Sequence, residues 1–231
     1  MSSSKLPVVT IDGPAGAGKS TVARALADRM GFVYLDTGAI YRTVALASRQ
    51  ASVDWSDANA VALIAADIVR NGRLRFERPP GGVQRVFLDG ADVSEAIRTP
   101  EMSAGASTVS AHPQVRAELL HLQRAVASSG GVVMEGRDTG TVVFPNADVK
   151  FFMIASPEER ARRRYEELKA KGMQVDIQAT LAEILERDRR DTQRATAPLR
   201  KAHDAVEVET TGVPVDEVIE RMARRVQQTR P

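Results

Sequence analysis

The residues Gly13-Pro14-Ala15-Gly16-Ala17-Gly18-Lys19-Ser20 have the spacing G-x-x-x-x-G-K-S, and Thr21 follows directly. An apolar run, Val8-Val9-Thr10-Ile11, precedes them. Val22, Leu26 and Met30 recur four apart after them, on one face of a helix. Strand, glycine loop and helix together make a phosphate cradle. Glycines let successive backbone N–H groups turn toward an anion. The helix N-terminus adds about half a positive charge at the same point. In this pattern Lys19 reaches β- and γ-phosphates, and the Ser20 hydroxyl is placed to ligate Mg²⁺.

Other residues add charge where a phosphate ligand needs it. Glu135-Gly136-Arg137-Asp138-Thr139-Gly140 follows the apolar run Val132-Val133-Met134. A carboxylate ending a strand in such a protein suits Mg²⁺, directly or through its water shell, so Glu135 is the second metal candidate. Arg137 beside Asp138 suits a ligand carrying both an anion and an amine. Asp36-Thr37-Gly38-Ala39-Ile40-Tyr41-Arg42 follows another strand. There Thr37 is a hydroxyl donor and Arg42 a bidentate phosphate partner. Arg187, Asp191 and Arg194 lie at i, i+4 and i+7, one face of a helix. Leu181, Ile184 and Leu185 are read as a separate, core-packing face that the charged stripe flanks. Arg160, Arg162, Arg163 and Arg164 open another helix, read as a mobile, arginine-bearing flap that closes over transferring phosphate. A capped turn, a local ion pair or a solvated helix face is the plainer reading of each cluster alone. Ser107 and Arg116 are polar enough to read a ligand edge, but spacing does not single them out.

These side chains need a framework in which strands alternate with helices. Strand-like runs fall at 8–11, 33–35, 132–134, 149–154 and 205–208. Helical patterns cover 20–30, 39–51 and 215–226. Pro157 opens a helix, with Ser156 as its N-cap and Glu158 and Glu159 in its first turn. His112-Pro113 begins another. Repeated βα units predict an α/β fold, a parallel sheet of five strands flanked by helices. Its ligands belong beyond the carboxyl ends of the strands. Residues 73–93 break this rhythm. Leu74 to Glu77 alternates, Arg78-Pro79-Pro80-Gly81-Gly82 reads as a turn, Val83 to Leu88 is extended, and Asp89-Gly90 is a second turn. This is a small antiparallel insert.

Composition narrows the function classes. The 231 residues carry 32 Lys and Arg against 30 Asp and Glu, a net charge of only +2. The pI of about 9.1 would suit nucleic acid. However, aromatics make up only 4% and no nucleic-acid motif is present, so small phosphorylated ligands explain the arginine clusters better. With no cysteine, disulfides and thiolate metal sites are excluded. No apolar signal core or membrane-length run is present. A cytoplasmic protein is expected, bound to neither membrane nor nucleic acid, and a monomer because no heptad or broad apolar stripe is evident.

Several strings together resemble the bacterial-type cytidylate kinases, P-loop nucleoside monophosphate kinases. They are Thr10-Ile11-Asp12-Gly13-Pro14, Leu35 to Arg42, Gly136 to Pro145, Arg187-Asp188-Arg189-Arg190-Asp191 and Arg194 to Leu199. The resemblance spans about residues 6–227. Thr37 stands where serine is also common, and Thr192 and Gln193 vary the last motif. Neither departure touches a charged group. The resemblance implies an ATP-binding core (about 6–36, 129–156 and 197–227), a CMP-binding region with a β-hairpin insert (about 37–128) and a short lid (about 157–194). It implies transfer of the γ-phosphoryl group of ATP to CMP or dCMP, with Mg²⁺. Residues 13–21 would cradle ATP: Gly13, Pro14, Ala15, Gly16, Ala17, Gly18, Lys19, Ser20 and Thr21. Arg42, Arg137 and Arg194 would hold the CMP phosphate. Ser107, Arg116 and Asp138 would read cytosine, and Arg187 and Asp191 would touch the sugar. Arg160 and Arg164 would act beside the transferring group, with Lys19, Arg137 and Arg194 completing the catalytic set.

The residues themselves agree with a phosphate acceptor. A hydroxyl acceptor calls for a base or orienting carboxylate, whereas a phosphate oxygen is already anionic and calls for cations. Two other readings remain. One is a kinase for UMP, AMP or a shikimate-like hydroxy acid, against which the G-R-D string and the insert argue. The other is a P-loop switch or regulatory ATPase. A GTPase switch requires N-K-x-D, and none of Asn59, Asn71 and Asn146 is followed by lysine.

Overall fold

The computed structural model describes residues 6–78 and 82–229. The chain divides into two compact units. The first runs up to Leu35 and resumes at Ser129, and the second is Asp36–Ser128.

The first unit begins with β1 (Val8–Asp12), every residue of which is buried. The phosphate loop leads into α1 (Lys19–Met30), which ends on Gly31 in the left-handed region at φ 69°. β2 (Val33–Asp36) follows. The second unit then supplies α2 (Thr37–Gln50) and α3 (Ala58–Arg70), the strands β3 (Leu74–Glu77), β4 (Arg85–Leu88) and β5 (Ala91–Asp92), and α4 (Pro100–Val109) and α5 (Pro113–Val126). The chain returns to the first unit with β6 (Val132–Gly136), β7 (Val149–Ile154), α6 (Pro157–Ala170), α7 (Ile177–Gln193), β8 (Val206–Glu209) and α8 (Val215–Gln227).

The first unit's sheet has five parallel strands in the order β2-β6-β1-β7-β8. β1 is central, with Asp12 level with Gly136 on one side and Phe152 on the other. A strand covered on both faces reads as a continuous apolar run, which is why β1, β6 and β7 are legible by composition alone. Ile11, Leu26, Phe151, Met153 and Met222 form the centre of the core. Val218, Ile219, Met222 and Val226 of α8 bury one apolar stripe there, each side chain stabilising the fold by roughly 1.5–3 kcal/mol. Ser156 caps α6 as expected, its hydroxyl accepting from the Glu159 N–H at 3.2 Å.

The second unit is largely helical. The single tryptophan, Trp55, donates its indole N–H to the Ala45 carbonyl at 2.9 Å. A Cβ on Gly105 of α4 would come within 2.7 Å of that ring, so glycine is what admits the close approach. Pairing of β3 with β4 confirms the antiparallel insert, and β5 extends the expected hairpin to three strands. Of the turn assigned to residues 78–82, Pro79, Pro80 and Gly81 lie outside the described residues. α3 and α4 were not anticipated. Their starts are nevertheless marked: Asp57 and Thr99 cap them through side-chain oxygens, and Pro100 occupies the first turn of α4.

α7 corrects the sequence reading. Leu185 is 48% exposed, whereas Ile184 and Asp191 are buried and Leu181 is half-buried. Ile184 and Asp191 are seven residues apart, about 20° from coincidence on a helix. The charged stripe therefore continues the buried face instead of flanking it.

Candidate active site

The loop after β1 is shaped by three glycines. Gly13, at φ 151°, lies so close to β7 that a Cβ would collide with the Met153 carbonyl. Gly16, at φ 76°, would meet the Cβ of Arg160 at 3.0 Å. Gly18, left-handed at φ 86°, is the N-cap of α1. This brings the backbone of residues 13–18 to the start of α1, where Ser20 and Thr21 are exposed. Lys19, only 5% exposed, donates from Nζ to the Pro14 carbonyl at 2.6 Å. Burial, reinforced by the Arg137 charge, lowers its pKa to about 7, while Glu135 and Asp12 pull the other way. A polyanion in this cradle would relieve that mutual repulsion.

Arg160 and Arg164 differ from the flap expected of them. Arg160 is buried and held on three sides. Its Nη1 donates to the Ala15 carbonyl (3.1 Å), its Nε to the Ala155 carbonyl (3.0 Å), and its Nη2 pairs with Asp188 at 2.6 Å. It thus ties α6 and α7 to the phosphate loop. Arg164 pairs along its own helix with Glu167 at 2.8 Å. Sequence reasoning missed Arg163 as a loop contact. Arg163 donates to the Thr210 carbonyl at 2.7 Å and to its hydroxyl at 3.1 Å, and the Thr210 hydroxyl donates to the Ala17 carbonyl at 3.3 Å. No sequence pattern marks that tie, since Thr210 is 47 residues away.

At the end of β6, the Tyr34 hydroxyl donates to Glu135 Oε1, and both side chains are buried. Ser20 and Glu135 are hard oxygen donors, the type that suits Mg²⁺ alongside substrate phosphates. Arg137 Nε donates to Asp191 Oδ2 at 2.8 Å. Burial works against the Arg137 charge, but Asp191, Glu135 and Asp188 outweigh it and hold the guanidinium firmly protonated. Burial likewise opposes ionisation of Asp191, and Arg137, Arg187 and Arg194 more than reverse this, keeping its pKa below the usual carboxylate value. Arg194 Nη2 pairs with Asp138 Oδ1 at 3.3 Å, both side chains being under a tenth exposed, and its Nε donates to the Ala197 carbonyl at 2.6 Å. Arg187 lies 3.9 Å from Asp191. The first unit thus gathers Lys19, Glu135, Arg137, Asp138, Arg187, Asp191 and Arg194 into alternating cations and carboxylates.

Thr37, Arg42, Ser107 and Arg116 belong to the second unit. Arg42 pairs with Asp36 at 2.7 Å, and its Nε is buried without a hydrogen-bond partner. The Asp36 carboxylate also accepts the Ala39 N–H at 3.1 Å, capping α2. Burial favours protonating Asp36, but Arg42 prevails and its pKa is lowered. A Cβ on Gly38 would sit 3.0 Å from both partners, so this residue leaves the pair its space. Thr37 is buried and Ser107 half-buried. Arg116, 8% exposed, lies over the Tyr41 ring at 5.5 Å and donates to the Ser110 carbonyl at 3.3 Å.

No helix among the described residues is long and apolar enough to cross a membrane. A solved structure of an uncharacterised protein from Eubacterium ventriosum aligns over 97% of this chain and 99% of its own. The TM-score is 0.54 at 13% identity, a likeness of fold alone. The cytidylate kinase from Geobacter sulfurreducens is 51% identical over 96% of this chain and 93% of its own. That from Syntrophotalea carbinolica is 52% identical over 95% and 91%. The cytidylate kinase family model matches residues 9–228. With that match spanning both units and half of all positions shared with these relatives, the chain belongs to the cytidylate kinase family.

Proposed function

We propose that this protein transfers the γ-phosphoryl group of ATP to CMP or dCMP, forming the diphosphate and ADP, with Mg²⁺, as a monomer in the cytoplasm. The observation that carries the reading is the run of cations, buried Lys19 and half-buried Arg137, Arg187 and Arg194, interleaved with buried Asp138 and Asp191. Such a site holds two phosphates together against their repulsion and needs no general base for an acceptor that is already ionised.

In this reading the backbone of residues 13–18, Lys19, Ser20 and Thr21 bind the donor phosphates. Lys19 carries positive charge to the oxygens that become more negative during transfer. Ser20 and Glu135 hold Mg²⁺, which when bound neutralises phosphate charge. Arg137, Arg194 and Arg42 bind the acceptor phosphate. Arg187 and Asp191 take the sugar, and Asp138, Ser107 and Arg116 take the base. Cytosine presents an amino donor where uracil presents a carbonyl, and an ionised Asp138 can only accept. Arg160 acts through the Ala15 carbonyl and Asp188, shaping the phosphate loop, and Arg164 serves at the transferring group from α6.

A coupled assay with MgATP and a panel of CMP, dCMP, UMP, AMP and shikimate tests this. CMP and dCMP should exceed every other acceptor in kcat/KM by at least about tenfold. Preference for UMP, AMP or shikimate would overturn the assignment.

A further inference from the structure

The carboxylate of Asp12 lies between two loops to which the reading above gives different substrates. It is the last residue of β1, 4% exposed, directly before Gly13. Its Oδ1 accepts the Thr139 N–H at 2.8 Å and the Thr139 hydroxyl at 2.7 Å, and its Oδ2 accepts the Gly140 N–H at 2.7 Å. Thr139 follows Arg137 and Asp138 and opens a wide helical turn. In that turn the Phe144 N–H reaches the Thr139 carbonyl at 2.7 Å, and the N–H groups of Thr141, Val142 and Val143 converge on the Asp138 carbonyl at 2.9–3.3 Å. Turns of this width are rare and gather at functional sites. A Cβ on Gly140 would come within 2.8 Å of the Thr10 hydroxyl and 3.3 Å of Asp12 Oδ2, so the backbone is drawn tightly onto the strand.

We propose that Asp12 is a positioning residue, a strap that sets the spacing between the donor-phosphate loop at 13–20 and the acceptor-binding pair Arg137–Asp138. The inference rests on the reading that this pair holds the acceptor. Burying a carboxylate is unfavourable in itself, and three short bonds to one turn offset that cost only in part, so burial still raises the Asp12 pKa. β1 already hydrogen-bonds to β6, so the strap adds little to sheet pairing. What it adds is the height at which the 137–140 segment leaves the strand end. Displacement of an acceptor by about an ångström is enough to slow transfer about a hundredfold.

The test is Asp12→Asn, which keeps the volume but turns an NH₂ group toward one of the N–H donors. Two comparison variants are Thr139→Val, which keeps both backbone bonds, and Arg137→Ala. For Asp12→Asn, amide hydrogen exchange should quicken at Thr139 and Gly140 while β6 stays protected. In the same variant kcat/KM for CMP should fall about ten- to a hundredfold. The dissociation constant for MgATP, read by calorimetry, should move less than about threefold, and Thr139→Val should lose less than about threefold in activity. A merely structural carboxylate would instead quicken exchange across the first unit and weaken both substrates together, which overturns the proposal. CMP kinetics within twofold of the parent also overturn it. Should Arg137→Ala leave CMP kinetics unchanged, the acceptor assignment has failed. Should Arg137→Ala impair CMP use and Asp12→Asn not, the strap alone has failed.

Discussion

Replacing Lys19 by Met removes one charge, keeps the aliphatic stem, and should move stability and catalysis in opposite directions. Lys19 is buried, and burial with the Arg137 charge lowers its pKa to about 7. In the unfolded chain a lysine titrates near 10.4. Between about pH 7 and pH 10 the unfolded chain therefore binds more protons than the folded one, and stability rises with pH through that window. The cost of holding the charge is fully present below about pH 7 and fades toward pH 10. At about 1.4 kcal/mol per unit it is bounded by roughly 3–5 kcal/mol. Lys19→Met should thus be more stable than the parent at pH 6, and by about half that margin or less at pH 9. Turnover should fall by about 10²–10³ with the lost cation. If Lys19 binds the donor as proposed, the same group should make ATP binding consume protons. At pH 8 phosphate is fully ionised, and the free protein's Lys19 is about nine-tenths neutral. Binding the polyanion should restore the ammonium and take up close to one proton per ATP, against about a tenth of a proton from Lys19 at pH 6. Titration calorimetry in buffers of low and high ionisation enthalpy reads this number directly. Uptake below about 0.2 proton at pH 8, or equal uptake in Lys19→Met, would refute the reasoning.

Arg194→Ala leaves Asp138 buried without its 3.3 Å partner. It should weaken CMP use by roughly 2–4 kcal/mol in kcat/KM while leaving MgATP affinity near that of the parent, and a defect mainly in ATP binding would place α7 on the wrong substrate. Asp138→Asn presents an amide able to turn its donor outward, so the CMP to UMP ratio of kcat/KM should fall at least about tenfold, mainly through CMP. A ratio held within twofold would remove Asp138 from base reading. Gly105→Ala places a methyl 2.7 Å from the Trp55 ring and should cost about 1–3 kcal/mol in a denaturant titration. A Tm equal to the parent's would show that α4 can shift away.

What the sequence determined by itself was local. The loop at residues 13–20 is a contiguous backbone device, so eight residues and their apolar flanks specify its conformation and point to the chemistry proposed for it. The caps of α6 and the continuous apolar runs of β1, β6 and β7 were legible for the same reason, since each signal lies within a few residues of its effect. The corrections lie where the cause is distant. Periodicity grouped Leu181, Ile184 and Leu185, yet only packing decides which side of a helix meets the core. It chose the side carrying Asp191, because Arg137, 54 residues earlier, neutralises the charge being buried. In the sequence Arg160 is one of four arginines read as a mobile flap. Its role depends on the Ala15 carbonyl, 145 residues away, and on Asp188 of the next helix. Asp12 shows the same division within one residue. Its place beside the glycine loop is plain in the chain, but its partners at Thr139 and Gly140 come within reach only because β1 and β6 pair in register. The residue types needed for phosphate chemistry are written in order along the chain. The pairing of each buried charge is settled by tertiary structure, because a cation or carboxylate can leave water only where folding brings an opposite charge or a hydrogen-bond partner to meet it.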